Sequence, residues 1–404
     1  MQMNLIIVLI IGWVVTWTLI IVLRYKQEIL SSWREPVLKH PVLIFESDDW
    51  GAGPLEQSQA LSDIGTVLGQ YTDRFNHYPV MTLGVVISVP DVDTIKKSDF
   101  KDYHAKQIDH SDFLLIKTAM LNGAEQGFFD LQLHGMAHYW PNNLMRDLFN
   151  NERLQQWLIS EKFPMTEELP STLQSRWINT EKLPTTPLTQ KEIEAAVKEE
   201  VNIFAKVFGF IPKVVVPPTF IWNDIVERSW KKHLVNYLIT PGQCFESRDS
   251  EGKPSGNGKK IVNGQVSKSG LTYLVRNDYF EPSLGQTAEM AIKALEIKTK
   301  LAQPTLLEMH RFNFIQNSEI TESSLQELDY VLSSACEKYP NIVFLSAEEL
   351  ADKYSSCNKD YIEESYFIRL LVYMERVWAN DTIRKWLYFS GLFIPVLFLN
   401  NLRK

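Results

Sequence analysis

Hydrophobic and polar positions divide this chain into three stretches: a greasy start, an alternating middle and a greasy end. From Leu5 to Leu23 the residues LIIVLIIGWVVTWTLIIVL carry no charge, and Thr16 and Thr18 are the polar interruptions. About twenty apolar residues at 1.5 Å rise match a hydrocarbon core of roughly 30 Å, so this run predicts a single transmembrane helix anchored in membrane lipid. No Lys or Arg precedes it and no small-x-small site follows before Arg24, which favours an uncleaved anchor in the cell membrane over a signal peptide. Arg24, Lys26, Arg34 and Lys39 all follow the run, so the positive-inside rule points the main body into the cytoplasm. At the other end, Trp386 to Leu399 (WLYFSGLFIPVLFL) is bracketed by Arg384, Lys385 and by Arg403, Lys404. Roughly fourteen residues reach about 21 Å as a helix, too short to span comfortably, and Pro395 would kink it. Two readings stand level for this run: an interfacial anchor whose basic flanks meet headgroups, and a C-terminal helix docked on the domain.

Between the ends, short apolar runs alternate with helical stretches, the pattern of an α/β chain. The predicted strands are 41–46 (PVLIFE), 80–89, 128–133, 213–216, 234–240, 305–309 and 342–345, mostly apolar, as strands buried on both faces are. The clearest helix is 190–208. Thr189 and Glu192 make a capping box, Ile193, Val197, Val201, Phe204 and Phe208 form one stripe, and Gly209 and Pro212 end it. Further helices are predicted over 283–302 and 321–338, and Ser346 with Glu349 starts another. About seven strand–helix units predict a barrel, closed or nearly so. Residues 143–187 break the alternation and read as an insertion with two short helices; 246–270, rich in Gly, Ser and Lys, reads as a mobile loop or hairpin. The expected organisation is an anchor (1–24), a linker (25–39), a barrel domain (40–355) and a C-terminal helix with the short hydrophobic segment (356–404).

Composition changes this picture little. The chain has 404 residues, 45% hydrophobic and 22% charged, which excludes disordered, collagen-like and polytopic membrane classes. A net charge of −8 argues against nucleic acid as a partner, since phosphate tracking needs a basic surface. The three cysteines (Cys244, Cys336, Cys357) lie far apart and imply no disulfide framework.

The chemistry is concentrated where predicted strands end. PVLIFE runs into Ser47-Asp48-Asp49-Trp50-Gly51, and FFDLQL into His134-Gly135-Met136-Ala137-His138. KVVV ends at Pro217-Pro218-Thr219-Phe220, and TLLEM at His310-Arg311. In a parallel α/β barrel all these ends open on one face, where such enzymes place their sites. Two adjacent carboxylates repel, so at least one wants a cation or a proton. Two imidazoles and one carboxylate suit a divalent metal, Zn2+ foremost, with a position left for water. Taken singly, Asp-Asp-Trp-Gly is also ordinary turn chemistry, and a histidine at a strand end is also an ordinary structural residue. His310 titrates near neutrality and could protonate a leaving group.

The ordered set (Asp-Asp, His-x3-His, a Pro loop after a strand, a late strand ending in His) resembles the polysaccharide deacetylases, metal-dependent carbohydrate esterases with a distorted (β/α)7 barrel. The likeness covers roughly residues 41–354. It implies Asp48 as catalytic base, Asp49, His134 and His138 as metal ligands, and His310 as general acid. Pro218 and Thr219 match the loop that lines the groove and supplies an oxyanion N–H. Val216 stands where the family carries an arginine beside the base, so Arg276 or Arg311 is expected to replace it; Asp278 is the candidate for the family's remaining carboxylate. Trp50, Trp140 and Trp222, just past the motifs, are candidates for stacking on sugar rings, although core or rim packing is the commoner role for any one of them. The function implied is a membrane-anchored, metal-dependent hydrolase removing N-acetyl groups from a polysaccharide or lipid-linked glycan. The alternatives are hydrolysis of another amide, an ester or a glycosidic bond on the same scaffold, and a non-catalytic glycan-binding component of a membrane synthesis complex.

Overall fold

A strand buried on both faces needs apolar side chains at most positions, and the runs that meet this condition join one parallel sheet. The computed structural model describes residues 2–258 and 260–401. The sheet strands are β1 (Val42–Gly51), β2 (Met81–Val86), β3 (Phe129–Leu133), β4 (Val214–Val215), β5 (Tyr237–Thr240), β6 (Thr272–Val275), β7 (Asp278–Tyr279), β8 (Thr305–His310) and β9 (Val343–Phe344). Their spatial order is β6-β5-β4-β3-β2-β1-β8-β7, with β9 paired to the start of β1. Strands β6 and β7 stand at opposite edges of that order, yet only Arg276 and Asn277 separate them in the chain. One interrupted strand therefore serves both edges, β6 pairing with β5 and β7 with β8, and the sheet closes into a distorted (β/α)7 barrel.

The interior confirms the closure. Val42 and Ile44 of β1 share a buried cluster with Val214, Ile239, Leu274 and Leu306 from four other strands. With neighbouring strands about 4.8 Å apart, a flat sheet could not gather them. Helices cover the outside; Gln190–Phe208 carries the expected capping box and ends at Gly209 in the left-handed region (φ 85°).

Several boundaries differ from the sequence reading. The predicted strand 80–89 divides, because after Val86 the backbone leaves the barrel and Ser88–Pro90 pairs with Ala105–Gln107. The helix expected from 283 begins at Ala288, after a 3-10 turn (Pro282–Leu284) and Gly285 at φ 87°. The insertion forms two helices, Pro141–Asn150 and Glu152–Ser160, and then a 3-10 turn, Thr166–Glu168. The segment 246–270 carries a small hairpin (Ser247–Arg248 with Pro254–Ser255), pinned by the buried Arg248, which donates to Ser175 Oγ and the Gly252 carbonyl.

The first helix, Gln2–Arg24, includes Leu5–Arg24, which is long and apolar enough to cross a membrane and is only 6% buried. The C-terminal run docks as a helix, but on this first helix rather than on the barrel: Trp17 meets Trp386 and Phe389. Pro395 falls in the first turn of Phe393–Asn401, where its missing N–H costs no helix bond. Arg403 and Lys404 lie outside the described residues. Arg376, from helix Tyr366–Ala379, donates to the carbonyls of Glu35, Pro36, Leu301 and Ala302. It thereby ties the terminal helices to the barrel end where β1 and β8 begin.

Candidate active site

Parallel pairing brings the chemistry to one mouth. In the β1–β8 register Glu46 lies opposite Glu308 and Asp48 opposite His310. The β1–β2 pairing is irregular between Ser47 and Trp50, and Asp49 adopts a positive φ of 72°. This break in the alternation lets two consecutive carboxylates line one cavity. Gly84 on β2 makes room for them, since a Cβ there would sit 2.3 Å from Asp48 Oδ1.

Asp49, His134 and His138 converge, with one potential ligand atom from each lying within 4.8 Å of the others. His134 Nδ1 donates to the Val216 carbonyl at 2.8 Å, which leaves Nε2, 3.3 Å from Asp49 Oδ1, available as a ligand. His138 Nε2 lies 2.8 Å from the same oxygen but is buried without a hydrogen-bond partner among the described residues. A close but misaligned contact of this kind, at a buried orphan nitrogen, fits a triad arranged around a cation. Thr166, from the insertion, lies 3.4 Å from His138 Nδ1.

Beside the triad, Arg276 makes a two-pronged pair with Asp48 at 2.7 and 2.8 Å, bonds Glu46 at 2.8 Å and approaches Glu308 at 3.3 Å. Burial disfavours the Asp48 carboxylate, but Arg276 and His134 outweigh it and hold the group below the ordinary carboxylate range. Burial raises Glu46 to about 7 despite Arg276. On the other side of Asp48, His310 Nδ1 bonds Glu281 Oε1 at 2.6 Å and its ring stacks on Phe312. Burial disfavours the imidazolium, but the Glu281 bond, with Asp49 and Asp48 nearby, raises His310 to about 10.

Asp48, Asp49, His134, His138, Glu308 and His310 line a cavity of about 810 Å³. Its wall also includes Pro217, Thr219, Phe220, Met165, Glu167, Glu168 and Gln174. Pro218 and Thr219 lie in a 3-10 turn, with Thr219 at φ 51°, and the Thr219 hydroxyl donates to the Gln174 carbonyl. Of the two arginines expected near the base, Arg276 is there, while Arg311 pairs with Glu167 at 2.9 Å. Asp278 faces Lys298 at 3.5 Å instead, and Glu281, three residues on, holds His310. Trp50 and Trp222 offer no face to a sugar, being fully buried, with Trp50 against Phe314 and Trp222 bonded to Glu227. Trp140 lines a separate depression beside Arg176. Glu281 escaped the sequence reading because it follows the unrecognised β7. Glu46 was readable, since it sits two residues before Asp48 on the same strand face.

No family model matches this chain, and no curated protein matches its sequence. Among solved structures it is similar to a peptidoglycan deacetylase from Bacillus subtilis (10% identity, 81% of this chain and 95% of that one, TM-score 0.34). It is also similar to a family 4 acetyl xylan esterase from Clostridium thermocellum (11% identity, 76% and 89%, TM-score 0.37). A third similarity is to a GH57-type branching enzyme from Pyrococcus horikoshii (9% identity, 78% and 70%, TM-score 0.43).

Proposed function

We propose that this chain is a membrane-tethered, metal-dependent hydrolase that removes N-acetyl groups from a glycan. The observation that carries the reading is the placing of Asp48, bonded to Arg276, and His310, bonded to Glu281, as register partners on adjacent strands beside the Asp49/His134/His138 triad. When bound by these three residues, a divalent cation, Zn2+ by the donor set, supplies Lewis acidity at the acetyl carbonyl. Asp48, kept ionised and oriented by Arg276, accepts the proton of the attacking water. His310, kept protonated by Glu281, donates to the departing amine nitrogen. The turn at Thr219 borders the cavity where the oxyanion develops, and its N–H is the assigned donor.

A polymeric substrate fits better than a short lipid-linked one. The anchor and terminal helices attach where β1 begins, whereas Asp48 lies six residues further along it, about 20 Å away at 3.3 Å per residue. The mouth therefore lies at the end of the barrel opposite the one that carries the anchor.

The test is metal analysis and acetate release by the purified full-length chain with N-acetylglucosamine oligomers. One zinc per chain, lost together with acetate release on His134→Ala, is the expected result. A chain that binds no metal and releases no acetate overturns the proposal, and release of new reducing ends without acetate replaces it with a glycosidase.

A further inference from the structure

The helices at the end of the chain meet the first helix at an unexpected depth. Helix Asp381–Ser390 is followed by Gly391, which reverses the backbone in the left-handed region (φ 77°), and then by helix Phe393–Asn401. Trp13 Nε1 donates to the Ser390 carbonyl at 2.8 Å. The apolar span runs over Leu5–Arg24, so Trp13 lies within about 3 Å of its midpoint at 1.5 Å per residue. A turn bonded to Trp13 thus sits near the centre of the bilayer. The lengths agree: Trp13 to Arg24 covers about 16 Å of helix, and the 10 residues of Asp381–Ser390 cover about 15 Å, half of a ~30 Å hydrocarbon core.

A turn in hydrocarbon is stable only where its polar groups are satisfied within the protein. Here Ser390 Oγ donates to the Trp386 carbonyl at 2.8 Å, the Gly391 N–H donates to Tyr388 O at 3.2 Å, and Trp13 serves the Ser390 carbonyl. The exposed surface of the hairpin is apolar, with Phe389, whose ring also meets Trp17, 71% exposed and Ile394 64% exposed. In the sequence, charged residues flank the apolar run: Asp381, Arg384 and Lys385 before it, Arg403 and Lys404 after it. Arg384 reaches back along its helix to pair with Asp381, in the direction in which long basic stems carry their charge towards headgroups.

We propose that residues 381–401 form a re-entrant helical hairpin, seated among the acyl chains of the leaflet nearest the barrel and returning the chain to the barrel's side. This rests on the reading of Leu5–Arg24 as a membrane-spanning helix. With it, the protein stands on a three-helix foot rather than a single tether, which restricts rotation of the barrel relative to the bilayer.

The test uses full-length single-cysteine chains in sealed vesicles of phosphatidylethanolamine and phosphatidylglycerol, probed with a membrane-impermeant maleimide before and after detergent. The positions are the exposed native Cys357 on the barrel side, Leu9→Cys, Phe389→Cys, Ile394→Cys and a cysteine appended after Lys404. Positions 389 and 394 are both lipid-facing, so failure of one variant to fold leaves the other. The expected result is labelling of Cys357 and the appended cysteine from the same face, with positions 9, 389 and 394 protected until detergent is added. Labelling of the appended cysteine from the opposite face means a full crossing and overturns the hairpin. Labelling of 389 and 394 in intact vesicles, with position 9 protected, also overturns it and leaves the spanning helix in place. Labelling of position 9 overturns the spanning reading and the hairpin together.

Discussion

Arg276→Met is the sharpest probe of the site, because it keeps a long unbranched side chain in the same buried slot while removing the charge and its N–H donors. Arg276 donates two charge-assisted hydrogen bonds to Asp48 at 2.7 and 2.8 Å. Bonds to charged groups contribute about 1.5–3 kcal/mol each, so this pair favours ionised Asp48 by roughly 3–6 kcal/mol. Water entering the slot recovers part of that, and ~3 kcal/mol remains as a reasonable loss. At about 1.36 kcal/mol per pKa unit, Asp48 then titrates about 2 units higher than in the parent chain. The acid limb of the kcat/KM profile for acetate release moves up by the same amount, and on the acid side activity falls by about 100-fold. Glu46 and Glu308 share the slot and lose the same cation, so further proton uptake accompanies the change. Metal content of the variant controls for folding, and Arg276→Lys, a point charge without the planar fork, restores only part of the shift. A folded Arg276→Met chain whose acid limb has not moved refutes the assignment of Asp48 as base held by Arg276.

Glu281→Gln removes the charge that keeps His310 protonated to about 10, so the alkaline limb of kcat/KM falls towards the ordinary imidazole value near 6.5. Activity at pH 6 is retained while activity at pH 9 is lost, as a pH–rate series on acetate release reads directly. Gly84→Ala puts a Cβ 2.3 Å from Asp48 Oδ1 and displaces the carboxyl; kcat falls by about 100-fold, the cost of a roughly 1 Å misplacement, with zinc content unchanged. Glu200 is raised to about 7 by burial, Arg176 opposing, while its carboxylate accepts from Met136 N–H and Trp230 Nε1. A raised folded pKa contributes stability that is complete below the unfolded value near 4.5 and is lost as pH rises through about 7. The metal-free chain therefore loses about 3 kcal/mol from this group between pH 5 and pH 9, and Glu200→Gln flattens that slope in urea or thermal unfolding.

Local physics made much of this protein readable in one dimension. A run of apolar residues long enough for a bilayer, a capping box with its glycine stop, and polar residues placed just past buried strands depend on neighbours a few positions apart. The apolar helix at Leu5–Leu23, the helix at 190–208 and the order Asp48-Asp49, His134-x3-His138, His310 followed from that alone. Parallel topology then sends every strand end to one face, so even the shared mouth was deducible.

What only the tertiary structure decided lies in contacts between residues far apart in the chain. The arginine beside Asp48 comes from 228 positions away, on a strand too short and too interrupted to show a period of two. The same strand closes the barrel and positions Glu281, while Asp278, the better match by residue type, turns to Lys298. Side-chain type made Trp50 and Trp222 candidates for sugar stacking, but burial excludes them, because exposure is a property of the packed molecule and not of the residue. The C-terminal run was too short to span and had no partner in the sequence pattern. Trp13 and Trp17 supply that partner, at a depth that only the packed helices define.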